Sequence, residues 1–288
     1  MILGWILAQG FARKTARILS IIVLGLIVTL YSILTIKRNF DFRSEYTLWS
    51  ETLKRNPNSV NGHNNLGTAL LVRDKTDAAI KEFDQTIKLA PTFAKPYYNL
   101  GIAYLLMGDN KKAEANFKMS IQLEPKSAQS YAALATVYQK TGLPDSAILN
   151  YKTAISNCDL MQDASLHYSL GTAYRDIGKS NDAINEFEKA ISLNPKLGEV
   201  HNDLGIEYGK KRLYDNAIKE FEIAVQVLKE PSQSYYNLAL VYIEKQDYPD
   251  AIKALDNCLE FWQGDKTAIQ NKINDLQRKH AKNKNITP

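Results

Sequence analysis

Along most of the chain, apolar residues recur at spacings of three and four, the period of helices buried on one face. The stretch 94–127, AKPYYNLGIAYLLMGDNKKAEANFKMSIQLEPKS, holds two such runs. Gly108 stops the first, Asp109 stands where a side-chain oxygen can cap the second, and Pro125 ends it. Its Leu100, Gly101, Tyr104, Ala113, Phe117 and Pro125 have counterparts 34 positions earlier at Leu66, Gly67, Leu70, Ala79, Phe83 and Pro91. They recur at Leu170, Gly171, Tyr174, Ala183, Phe187 and Pro195, and at Leu204, Gly205, Tyr208, Ala217 and Phe221. A fixed period of this length means an all-α array of helix–turn–helix units, each burying its face against its neighbours.

Six full units fit the pattern: 60–93, 94–127, 128–161, 164–197, 198–231 and 232–265. Crowding assigns the roles. Glycine at the Gly101 position and alanine at the Ala113 position let helices approach, while leucine, tyrosine and phenylalanine fill the space between. The third unit departs most, with Ala135, Tyr151 and Asp159 at the Gly, Phe and Pro positions. The sixth has Ala239, Leu255 and Cys258 at its later signature positions. By the same spacing Asp145 and Asp215 join Asp109 as expected caps of second helices. Residues 41–59, with Tyr46, Trp49 and Leu53 on one face, read as a half-repeat capping helix running towards Pro57. Residues 266–283, with Ile269, Ile273 and Leu276 on one stripe, read as a C-terminal capping helix, and 284–288 as a tail.

The N-terminal part breaks the pattern. Residues 1–17 form an apolar and basic segment ending in Arg13, Lys14 and Arg17. Ile18 to Ile36 is an uncharged run closed by Lys37 and Arg38. At helical rise it spans ~28 Å, close to the thickness of a bilayer's hydrocarbon core. Read as a core helix it has no core to join, and a cleaved signal would need a small-residue site that is missing. The run is therefore expected to be a single transmembrane helix, with the array close to the bilayer. Basic residues 13, 14, 17 and 37, 38, 43 balance across it, so the positive-inside rule leaves orientation open.

Charge narrows the partners. The net charge is +5, and residues 1–43 carry all of it; the remaining residues hold 30 basic and 30 acidic side chains. A body without basic excess gives no footprint for nucleic acid. Cys158 and Cys258 lie three units apart, too far for a disulfide, and lack ligand spacing. His63, His167 and His201 occupy one position in their units, filled elsewhere by Tyr97, Tyr131 and Tyr235, which is stacking and not a metal cluster. Without a phosphate loop or a nucleophile in a recognised setting, neither catalysis nor a cofactor is expected.

The L-G-x-x-Y pattern with A, F and P at set distances resembles the tetratricopeptide repeat. That resemblance implies a right-handed superhelical solenoid whose first helices line a concave groove that binds peptide segments of partner proteins. The join made by Arg38-Asn39, Leu48-Trp49, Asn56-Pro57 and Asn64-Asn65-Leu66-Gly67 is similar to that in multi-span, mannosyltransferase-like membrane proteins carrying such repeats. This second resemblance implies repeats on the non-cytoplasmic side, periplasmic or lumenal. It also leaves an alternative, that the chain is an accessory or truncated C-terminal part of such a glycosyltransferase-like protein. Two positions before the repeat glycine stand Asn65, Asn99, Ala133, Ser169, Asp203 and Asn237, similar to the asparagine ladder of O-GlcNAc transferase repeats. Such amides hold an extended peptide backbone, donating and accepting at once. One position earlier stand Asn64, Tyr98, Tyr168, Asn202 and Tyr236. The peptide-binding candidates are therefore Asn65, Asn99, Asp203, Asn237, Asn64, Tyr98, Tyr168 and Tyr236.

Overall fold

The computed structural model of the chain describes residues 45–158 and 163–284, and every element among them is an α-helix. They are α1 (Glu45–Arg55), α2 (Val60–Leu71), α3 (Thr76–Leu89), α4 (Ala94–Leu106), α5 (Asn110–Leu123), α6 (Ala128–Lys140) and α7 (Pro144–Ser156). There follow α8 (Ala164–Asp176), α9 (Ser180–Leu193), α10 (Gly198–Lys210), α11 (Tyr214–Val227), α12 (Ser232–Glu244), α13 (Tyr248–Phe261) and α14 (Thr267–Lys284). The expected membrane helix at 18–36 lies outside the described residues. Among the described residues no helix is long and apolar enough to cross a membrane. The described residues divide into two compact bodies, with the boundary between Ala103 and Tyr104 inside α4.

In the first body α1 packs on α2, and α2 on α3. α1 stops at Arg55, short of Pro57, because a residue preceding proline is driven out of the helical region. Its Leu53 lies where a side chain at Gly62 would go: a Cβ there would come within 2.8 Å of Leu53 Cδ2. Arg73 closes over the Tyr46 ring, 4.6 Å from its centroid.

In the second body successive helices pack in sequence from α5 to α14. The alanines that open the second helices, Ala113, Ala147, Ala183, Ala217 and Ala251, have no exposed surface, and neither do Phe117 and Phe187. Ile269, Ile273 and Leu276 bury α14 beside α13. α14 runs one residue beyond the expected limit, to Lys284.

The repeat glycine has a narrower task than general helix approach. A Cβ on Gly171 would meet the Phe187 ring at 2.6 Å, and one on Gly205 would meet Phe221 at 2.8 Å. The missing side chain is thus the seat of the phenylalanine from the same unit. Where that seat carries a methyl group, the ring differs. Ala135 is paired with Tyr151, whose hydroxyl lies 3.1 Å from Thr136 Oγ1, and Ala239 is paired with Leu255.

The turn inside each unit places one residue at positive φ: Asp74 at 56°, Gly108, Gly142 and Gly178 at 74–79°, Arg212 at 58° and Gln246 at 61°. The N–H that follows closes back on the repeat tyrosine, as in Asp109 N to Tyr104 O and Leu213 N to Tyr208 O, both 2.9 Å. Asp109 caps α5 by accepting from Lys112 N at 3.1 Å. Asp145 and Asp215 do not cap. Their helices begin at Pro144 and Tyr214, with Leu143 and Leu213 at the cap positions, so both carboxylates sit inside the first turn at the positive end of the helix dipole, and Asp215 also accepts from Lys245 Nζ at 2.6 Å.

Candidate functional site

The ladder positions lie on the first helix of each unit, and three of them, Asn99, Asp203 and Asn237, meet the first helix before their own. One contact recurs there. In the first body Asn99 Nδ2 donates to Asn64 Oδ1 at 3.0 Å. In the second, Tyr168 Oη donates to Asp203 Oδ2 at 3.1 Å, and Asn237 Nδ2 to Asn202 Oδ1 at 3.1 Å. Each contact joins residues 35 apart: three before the glycine in one unit, two before it in the next. The side chains at these two positions staple neighbouring first helices.

The staples divide the candidates into holders and presenters. Asn64 is 1% exposed, and its amide is spent inside the protein, since Nδ2 also donates to Asn65 Oδ1 at 3.2 Å. Asn65, Asn99 and Asn237 are half-buried. Among the described residues Asn65 Nδ2 and Asn99 Oδ1 make no hydrogen bond. Asn237 Oδ1 accepts from Gln233 at 3.1 Å, and its Nδ2 has a second proton to give. Asp203 is an anchor: besides Tyr168 it accepts from Arg175 Nη1 at 2.6 Å. Tyr236 is reached from α14 by Lys272, whose Nζ lies 3.2 Å from the hydroxyl and 5.1 Å from the ring centroid. Burial pushes the Tyr98 hydroxyl above the ordinary tyrosine range. Burial, and then the Asp203 carboxylate, push Tyr168 further in the same direction.

A second set of pairs was not apparent from spacing within one helix. His63, His167 and His201 each place Nδ1 2.6 Å from a glutamate Oε2, at Glu82, Glu186 and Glu220. His63 Nε2 lies 2.8 Å from Pro57 O, and His201 Nε2 3.1 Å from Pro195 O. Tyr97 makes the equivalent bond, its hydroxyl donating to Pro91 O at 3.0 Å. This position therefore ties the first helix to the second and to the proline that closes the preceding unit. The signal was in the sequence at a separation of nineteen. The three histidine units carry glutamate there, whereas nineteen residues after Tyr97, Tyr131 and Tyr235 the sequence has Asn116, Asn150 and Ala254. Among the described residues, no three His, Cys, Asp or Glu side chains converge in a way that could hold a metal ion.

Family models described as tetratricopeptide repeat or TPR repeat match residues 73–108, 94–127, 128–158, 171–211 and 202–265. The human protein O-mannosyl-transferase TMTC3 is 37% identical over 83 residues, which are 28% of this chain and 9% of that protein. This chain thus matches less than a tenth of that relative's length. Among solved structures, Pseudomonas aeruginosa PilF superposes with a TM-score of 0.66 at 16% identity, covering 74% of this chain and 97% of PilF. YrrB, described as a TPR protein with an unusual peptide-binding site, superposes with a TM-score of 0.57 at 20% identity, covering 66% of this chain and 97% of YrrB. At these identities the two structures establish the fold, an all-α solenoid of helix pairs.

Proposed function

Because the chain belongs to the tetratricopeptide repeat family, we propose that it is a non-catalytic scaffold holding an extended segment of a partner protein along its first helices, the concave groove of this fold. The observation that carries this reading is the half-buried amides of each body, Asn65 and Asn99 in the first, oriented by Asn64, and Asn237 in the second, oriented by Asn202. An oriented amide with a free donor or acceptor suits a peptide backbone of any sequence. The peptide-binding site named for YrrB lends support by analogy of fold. In the test, Asn65, Asn99 and Asn237 are changed together to alanine and partners are captured from a detergent extract. The partner set should be lost while the thermal melt stays cooperative; an unchanged set removes the amide face from the account.

Residues 18–36 serve in this proposal as a single-pass membrane anchor, with the repeats on the non-cytoplasmic side. The uncharged run bounded by basic residues supports the anchor. Carbonate extraction and protease accessibility in intact membranes test both parts. The similarity to TMTC3 favours a second reading, an accessory or detached C-terminal part of a glycosyltransferase-like membrane protein. A neighbouring frame encoding many membrane spans would support it.

A further inference from the structure

Beside Asn237 the wall between α10 and α12 opens into an apolar cleft of about 200 Å³. Ile206, Gly209, Tyr214, Phe221, Leu240 and Val241 line it, and its polar edge is Asn237 and Glu244. One of its lining residues sets this unit apart. Gly209 stands where the other units have Leu71, Leu105, Gln139, Arg175 and Ile243. A Cβ at Gly209 would meet only Val241 Cγ2, at 3.8 Å, so no packing demands glycine there. Glycine also costs helix stability relative to alanine.

We propose that this cleft receives one branched or aromatic apolar side chain of the bound segment, and that Glu244 selects a lysine or arginine next to it. The inference rests on the groove reading above and specifies its ligand. An apolar cavity of about 150 Å³ is enough for a benzene ring, so the cleft accommodates a single side chain of that size. The charge at its mouth is negative. Glu244 is exposed and forms no ion pair among the described residues, while Lys210 is held by Glu207 at 2.5 Å and its own neighbour Lys245 by Asp215 at 2.6 Å. Asn237, with a proton to spare, lines the same cleft and can hold the backbone of the inserted residue.

The test uses a random peptide library displayed on phage, selected on the full chain in detergent micelles. Enriched peptides are then synthesised and titrated by fluorescence anisotropy. They should carry a leucine, isoleucine, methionine or phenylalanine beside lysine or arginine. Gly209→Leu should weaken them by about tenfold or more, and Glu244→Lys should reverse the preference for the neighbouring charge. Gly209→Ala reports folding, since it should leave the fold intact and the helix at least as stable. Equal binding to wild type and Gly209→Leu overturns the cleft, as does a concentration-dependent mass in sedimentation that Gly209→Leu abolishes, which would assign the cleft to a second copy. If peptides survive Gly209→Leu but are lost in the triple alanine variant, the cleft fails and the groove stands. If nothing enriches over bare micelles, both fail.

Discussion

Adding one methyl group at Gly171 should destabilise the array through a single ring. The new Cβ would lie 2.6 Å from Phe187 Cδ1 and Cε1 and 3.3 Å from the Ala183 carbonyl oxygen. Phe187 has no exposed surface, so its ring cannot yield to the methyl group by turning into solvent without unpacking. Overpacking of this kind costs about 1–3 kcal/mol, while alanine in place of helical glycine returns up to ~1 kcal/mol, so Gly171→Ala should lose roughly 1–2 kcal/mol. The sixth unit points to the compensation, because its alanine Ala239 is matched by Leu255. In a Phe187→Leu background the methyl group should be neutral or stabilising, although Phe187→Leu alone costs about 1–2 kcal/mol. Equilibrium urea unfolding followed by circular dichroism, on wild type, both singles and the double, gives the coupling. If Gly171→Ala is as stable as wild type, or its penalty is unchanged in the Phe187→Leu background, the ring-seat explanation of the repeat glycine is refuted.

Gly142→Ala should cost about 1 kcal/mol through its φ of 74° alone, since nothing lies within 4 Å of the added Cβ, and thermal melts will show it. Glu186→Ala should cost about 1–3 kcal/mol, because it leaves the buried His167 Nδ1 without its partner; the double change His167→Tyr with Glu186→Asn, the pairing found at Tyr131 and Asn150, should cost less when measured by urea unfolding. Tyr168 and Tyr208 are both raised above the ordinary tyrosine pKa, chiefly by burial and then by Asp203 and Glu188 respectively. A raised folded pKa gives stability that is complete below the unfolded value near 10 and is lost as pH rises beyond it, so the urea midpoint should be flat up to about pH 10 and fall above, less steeply in Tyr168→Phe. Ala113→Leu should cost about 1–3 kcal/mol at a site with no exposed surface, and an unchanged melt would argue against the repeat register.

Periodicity made the helix pairs legible, because leucine, glycine, tyrosine, alanine and phenylalanine at set distances report local crowding that each unit solves in the same way. Spacing does not resolve the cap at Asp145 and Asp215, because their helices start at Pro144 and Tyr214, two residues before a cap at either carboxylate requires. Spacing placed Asn64 and Asn65 side by side on the ladder. It could not tell that Asn64 is buried and spent on Asn99, since that depends on the neighbouring helix 35 residues away. The histidine–glutamate pairs escaped for the same reason, crossing from the first helix of a unit to its second. Gly209 was readable only by comparing one position across all six units, where it is the one residue without a side chain.

Site-specific photo-crosslinking in native membranes tests the central claim most directly. A benzophenone amino acid is placed in turn at Asn65, Asn237 and Leu240 on first helices, and at Lys118 and Lys219 on exposed second-helix surface. The account predicts that the first-helix positions capture the same partner polypeptide and that the two lysine positions do not. Capture from Lys118 and Lys219, with none from the first helices, would contradict it.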